Sequence, residues 1–315
     1  MMLSRLAEHL FWHGRYLERA EGLARLINVN AHLNLDLPGK MAPGWEPLVR
    51  ITGNPELYVE LNGDERSERS IARFLIADSR NPGSIRSSLE MARENLRAAR
   101  DLLPREVWEQ MNGLYLDINR RIDASLARRN RHDTLNELIR GSQLLSGMLT
   151  GTMSHDHAYD FIRLGGYLER ADVTTRILDV RADDLLPEDV EELPPFESIQ
   201  WMSVLKSLTG YQMYRRHVRL RVTGPDVLRF LLRDRLFPRS VMFCLEQVEH
   251  LLAELPGDDD NALRATLAVK RQLDQVRVIR LTGEPLAEFI DRVQIELADI
   301  GDAIAGTWFL PVAMD

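Results

Sequence analysis

The chain has a single cysteine, Cys244, in 315 residues, so no disulfide can close within it and a reducing compartment is the expected setting. Cys244 lies in the apolar run Val241-Met242-Phe243-Cys244-Leu245 and reads as a small buried hydrophobe rather than a nucleophile. No run reaches the roughly 18 to 20 apolar residues that a membrane helix needs. The first residues mix Arg5, Glu8 and His9 and offer no small-residue cleavage site, so no secretory signal is expected and the protein is expected in the cytoplasm. Positive charge is not in excess either. A formal net charge of −8 argues against a nucleic-acid or anionic-membrane partner. The local basic run Arg128, Arg129, Arg131 reads as a solvated helix end.

Familiar catalytic templates are missing as well. Gly39-Lys40 is followed by Met41 and lacks the upstream glycine of a phosphate loop. No Gly-x-Ser-x-Gly nucleophile motif occurs. None of the eight histidines has a Glu three residues before it, the spacing used by di-metal helical bundles. Asp258-Asp259-Asp260 lacks the spaced ligands of a calcium loop. Glu18-x-x-Glu21 and Glu246-x-x-Glu249-His250 place carboxylates at helical spacing, which is more often a solvated face than a metal site. His155-Asp156-His157 reads as a turn and N-cap cluster, although its imidazoles could take a transition metal. No metal and no cofactor are expected.

What is present is helical periodicity and a repeat. Leu6, Leu10, Leu17, Ala20 and Ala24 recur at helical spacing, predicting a first helix from Ser4 to about His32, before the Pro38-Gly39 turn. Further helices are expected over Ser84 to Leu102, Arg105 to about Arg128, and Thr134 to Thr152, with a break at Asn130 to Asp133. Helices resume after an acidic loop, Asp183 to Glu192, from about Ser198. No convincing strand is seen, and the expected class is all-α.

Gly14-Arg15-Tyr16-Leu17-Glu18-Arg19-Ala20-Glu21 returns 151 residues later as Gly165-Gly166-Tyr167-Leu168-Glu169-Arg170-Ala171-Asp172, and Arg25 then matches Arg176. Trp45 to Thr52 parallels Trp201 to Thr209, Phe74-Leu75 parallels Phe230-Leu231, and Pro82-Gly83-Ser84 parallels Pro238-Arg239-Ser240. Four segments in one order imply two tandem-duplicated helical halves, 1–153 and 154–315, packed about a pseudo-twofold axis.

Adjacent helical residues point about 100° apart, so Glu18 and Arg19 must each find a partner elsewhere. If the two repeat helices cross at the axis, Glu18 meets Arg170 and Glu169 meets Arg19. That is a structural clasp, which sets register more than it adds stability. The functional alternative is a polar cleft. There Arg19, Arg170, Arg15, Arg25 and Arg176 would hold carboxylate or phosphate groups, and Glu18 and Glu169, with Glu21 and Asp172, would bind an amine or act as acid–base groups. Arg239 and Ser240, after Pro238, could form an anion site at a helix N-terminus. Their plainer reading is a helix start with a serine cap. Asn95, within a charged helix, is a candidate for a hydrogen bond across helices.

These residues resemble the bacterial Alpha-E family, all-helical proteins named for a Glu-Arg motif. The resemblance runs through Phe11-Trp12-His13-Gly14-Arg15-Tyr16-Leu17-Glu18-Arg19-Ala20-Glu21, Asn81-Pro82-Gly83-Ser84-Ile85, Ala92-Arg93-Glu94-Asn95, Gly166 to Asp172, and Phe230-Leu231-Leu232 through Phe237-Pro238-Arg239-Ser240-Val241. Gly166 departs from the pattern, since Arg15 stands at that point in the first copy, and the two clefts are not expected to be equivalent. The resemblance implies a circularly permuted ATP-grasp protein and a transglutaminase-like protease as partners, and hence a peptide or amide-bond-forming system. Two roles fit it: a helical partner of the ligase, or an enzyme of amide-bond modification that uses Glu18 and Glu169 for proton transfer. A scaffold held by a purely structural clasp is the third.

Overall fold

The structure is a computed structural model that describes residues 4–36, 44–52, 54–184, 194–218, 221–257, 259–281 and 283–309. Among these residues the chain forms fourteen α-helices and no strand, as the all-α expectation requires. In the first part they are α1 (Ser4–Asp36), α2 (Glu46–Ile51), α3 (Pro55–Asn62), α4 (Glu68–Ile76), α5 (Ile85–Ala98), α6 (Arg105–Arg121) and α7 (Arg128–Thr152). The second part contributes α8 (His157–Asp184), α9 (Pro194–Ser207), α10 (Tyr211–His217), α11 (Gly224–Arg233), α12 (Val241–Glu254), α13 (Asn261–Gln275) and α14 (Glu284–Ile304). A short π-helical turn, Ala305–Phe309, follows. No helix among the described residues is long and apolar enough to cross a membrane.

The two longest helices, α1 and α8, form the centre. α1 packs against α5, α7, α9 and the turn after α14, while α8 packs against α12, α14 and α2, and the two pack along each other. Neighbours on several sides leave them little solvent face. Leu10, Ala20, Ala24 and Ile27 of α1 and Leu164, Ala171 and Leu178 of α8 are fully buried. They belong to one continuous apolar cluster that runs through both parts of the chain.

Outer helices begin where the sequence supplies caps. Ser67, Ser84, Thr223 and Ser240 each accept a hydrogen bond from the backbone N–H three residues on, satisfying a donor that the first turn leaves unpaired. A local construction also recurs. Tyr58 packs edge-on against Phe74 and donates to the Glu65 carbonyl, and Tyr214 packs edge-on against Phe230 and donates to the Arg221 carbonyl.

Some boundaries differ from expectation. α1 runs on to Asp36, and α9 starts at Pro194 rather than near Ser198, because proline is tolerated in a first helical turn. The break expected at Asn130 to Asp133 lies earlier, between Arg121 and Arg128. Fully buried Ser125 there donates to the Ile122 carbonyl and Ala127 is extended. In the basic run beside it Arg128 and Arg129 are exposed, as a solvated helix end requires, but the third member is not. Arg131 is 4% exposed, lies 4.9 Å from the Trp45 ring centre and bonds Glu68 at 2.8 Å. The planar guanidinium can stack and hydrogen-bond at once, so burial is tolerated. The expected Pro38-Gly39 turn, the acidic loop from residue 185 onward and Asp258 lie outside the described residues.

Candidate functional site

Helices α1 and α8 run side by side in the same direction, with Phe11 beside Gly165, Glu18 beside Arg170 and Gly22 beside Val173. Glycine sets their spacing. A Cβ at Gly14 would lie 2.1 Å from the Ile162 carbonyl oxygen, and one at Gly165 would lie 2.0 Å from that of Phe11. The glycine before each Glu-Arg pair therefore makes room for backbone, not for a ligand.

This approach brings the two Glu-Arg pairs together crosswise. Arg170 donates through Nε and Nη2 to Glu18 at 3.0 and 2.7 Å. Arg19 donates through Nε and Nη2 to Glu169 at 2.5 and 2.9 Å. Each glutamate also holds a second guanidinium. Arg15 Nε donates to Glu169 at 2.7 Å, and Arg239 Nη1, from the start of α12, donates to Glu18 at 2.7 Å. Arg239 Nη2 further bonds Glu21, which also accepts from Arg25, while Asp172 accepts from Arg176. Glu18, Glu21 and Glu169 are buried, so their acidic spacing marks no solvated face.

Burial works to raise the pKa of both glutamates. For Glu18 the charges and hydrogen bonds of Arg170 and Arg239 outweigh it and hold the carboxyl well below its ordinary 4.5. For Glu169 burial is likewise outweighed, by Arg15 and Arg19. Low-dielectric surroundings strengthen each attraction. Both carboxylates are thus ionised at neutral pH with both oxygens engaged by guanidiniums, which leaves no proton to give and makes each a weak base. The acid–base role considered for Glu18 and Glu169 does not match this state.

Arg239 is brought to the cluster, but its guanidinium is spent on two carboxylates of the chain itself. Ser240 is not part of the cluster. It is fully buried, caps α12 and donates to the Asp234 carbonyl. Around the cluster lie open clefts. One of about 340 Å³ is walled by Trp12, Arg15, Arg19, Arg176, Gln294 and Asp302. A second, of about 270 Å³, lies on the Glu18 side beside Ser142, Arg163, Tyr167 and Arg239. A third, of about 320 Å³, opens at Gly83 beside Arg19, Asp172 and Arg176.

The remaining motifs have structural partners. Cys244 is fully buried, and burial pushes its thiol up to about 12, leaving no thiolate at neutral pH. Asp156 caps α8 by accepting from Ala158 N, and His155 stacks on Tyr159 with ring centres 4.0 Å apart. Glu246 pairs with Arg235 and Glu249 with Lys270. His9 bonds the Asn95 side chain at 2.8 Å, the contact across helices that Asn95 suggested. Sequence reasoning missed Thr209, whose hydroxyl accepts from Arg25 at 2.8 Å. Its left-handed φ of 57° is costly for a β-branched residue. It also missed Glu68 as the shared partner of Arg128 and Arg131.

Comparison with known proteins is consistent with this architecture. Uncharacterised proteins of Mycobacterium bovis and Mycobacterium tuberculosis are 26% identical to the chain over 330 residues, covering 96% of it and 36% of their own length. The chain thus spans about a third of the relatives it matches. No solved structure matches it. One family, described as a predicted alpha-helical domain with a conserved ER motif, matches residues 2–309. With its two Glu-Arg dipeptides locking α1 to α8, the chain belongs to the Alpha-E family.

Proposed function

We propose that the chain is a helical partner or accessory subunit of an ATP-grasp amide or peptide ligase. In this reading it works in the cytoplasm, beside a circularly permuted ATP-grasp protein and a transglutaminase-like protease, and binds the ligase or its peptide-like substrate through the clefts around the Glu-Arg cluster. It is built from two related helical units, 1–153 and 154–315. The observation that carries the reading is the state of the two central glutamates. Each is buried, ionised and held by two arginines. The cluster is therefore suited to holding shape and charge rather than to moving protons. That the chain aligns with about a third of longer relatives also fits a part that acts beside other polypeptide.

The test is recovery of a tagged copy from its native cell, with mass spectrometry of what accompanies it. An ATP-grasp protein at near-stoichiometric level is the expected result, and recovery of the chain alone overturns the reading. The enzyme alternative needs one glutamate freed from its arginines. It would be favoured by a Glu18→Gln variant that keeps its melting temperature and loses pathway output.

A further inference from the structure

The two sides of the cluster differ at one position that the repeat makes visible. Arg239 stands between Pro238 and Ser240, and Gly83 stands between Pro82 and Ser84. Both serines cap the helix that follows, α12 and α5, so the two positions occupy the same point of one local construction. On the Glu18 side the Arg239 side chain reaches in and bonds Glu18 and Glu21. On the Glu169 side there is no side chain at that point, and the cavity of about 320 Å³ opens there.

Its lining has a definite chemistry. Arg19 and Arg176 line it with Glu169 and Asp172, and Arg19 leaves Nη1 unused in its bonds to Glu169. Arg25 spends Nε and Nη2 on Glu21 and Nη1 on Thr209. Its counterpart Arg176 engages Asp172 through Nε alone, because Asp172 is one methylene shorter than Glu21. The Arg176 side chain is accordingly 35% exposed, against 12% for Arg25. Leu23, Ile51 and Val173 complete the wall.

We propose that this cavity binds the carboxylate of a small molecule or chain end that carries an apolar group beside the acid. Arg176 and Arg19 take the charge, and Leu23, Ile51 and Val173 take the apolar group. Both carboxylates of the wall are already paired while guanidinium donors are not, which favours an anion over a cation, and a bare phosphate would leave the apolar wall unpaired. The inference gives a chemical form to the peptide-like substrate of the preceding reading, and rests on that reading for the source of the ligand.

The test is calorimetric titration of the full chain with N-acetyl-leucine, N-acetyl-leucine amide and inorganic phosphate. Saturable one-to-one binding of the acid is expected, at least about tenfold tighter than the amide, because a charge-assisted bidentate bond is lost in the amide. Gly83→Arg rebuilds the Arg239 arrangement and should abolish binding. The backbone there is not left-handed, and an added Cβ meets only the Asn54 and Asn81 side chains, at 3.3 Å. Should that variant fail to fold, Arg176→Ala must weaken the acid about tenfold while leaving the amide unchanged. Equal binding of acid and amide, undiminished binding by Gly83→Arg, tighter binding of phosphate, or no binding of the acid overturns the proposal. Recovery of the ligase without binding of the acid removes this site alone. Binding of the acid without recovery of the ligase supports the site and removes the partner reading.

Discussion

Glu18 and Glu169 are placed alike and held differently. Both are buried and both face two guanidiniums, yet Glu169 draws both from α1 while Glu18 draws one from α8 and one from the turn before α12. Where α8 carries Gly166 in place of an arginine, Arg239 supplies the missing charge. Where the turn before α5 carries Gly83 in place of an arginine, Arg15 supplies it. What is kept on both sides is the charge balance, two guanidiniums to each buried carboxylate, and not the position from which it comes. That follows from the cost of leaving a charge unpaired in a dry interior. The difference puts a guanidinium, Arg239, at the edge of the cleft on the Glu18 side and a bare glycine, Gly83, at the edge of the cleft on the Glu169 side.

The largest expected effect breaks the balance outright. Glu18→Gln should lower unfolding free energy by about 3–5 kcal/mol, because Arg170 is left without its charge partner and Arg239 keeps only Glu21. Glu169→Gln should fall at the lower end of that range, since the Arg19 side chain is 29% exposed and water can solvate it. Urea unfolding of the two variants decides it, and equal losses would show that the sides do not differ in solvent access. Gly165→Ala comes next. A methyl 2.0 Å from a backbone oxygen should cost up to about 3 kcal/mol and push α8 away from α1.

Acid separates the carboxylates from a neighbouring histidine. His13 is fully buried and donates from Nδ1 to the Ala92 carbonyl, and burial lowers its pKa from 6.5 to about 4. The folded state therefore resists protonation more than the unfolded chain does. The stability this provides is complete above 6.5 and is lost as pH falls toward 4. Glu18 and Glu169 are depressed too, so their contribution declines only below the ordinary carboxylate range. Melting temperatures measured downward from pH 7.5 should fall first through His13, and His13→Gln should flatten that part of the profile. The smallest effect is Arg176→Ala. Its single, partly exposed bond to Asp172 should contribute no more than about 1 kcal/mol. Arg25→Ala, which removes bonds to both Glu21 and Thr209, should cost more.

The crosswise clasp was legible because adjacent helical residues cannot face each other and the repeat supplied the same pair twice. Asn95 was legible as a contact between helices. Arg239 was legible as a residue of interest but not as the second partner of Glu18, because nothing in a local pattern says which distant turn will replace the charge missing at Gly166. The break before α7 was hidden for another reason. No proline or glycine marks Ile122 to Ala127, and the chain turns there because Ser125 is drawn inward. Arg131 misled because a basic run looks solvated until an aromatic face, here Trp45, gives the guanidinium a buried surface to lie on.

The direction of the pairing has a consequence for how the molecule can be taken apart. Both arginines that hold Glu18 come after residue 154, and both that hold Glu169 come before it. Each half is the counter-ion of the other. Cut in the turn between α7 and α8 and produced as two polypeptides, the halves should be unstable singly and recover their fold only as a non-covalent heterodimer. Complementation of this kind would make assembly itself the reporter of the Glu-Arg clasp.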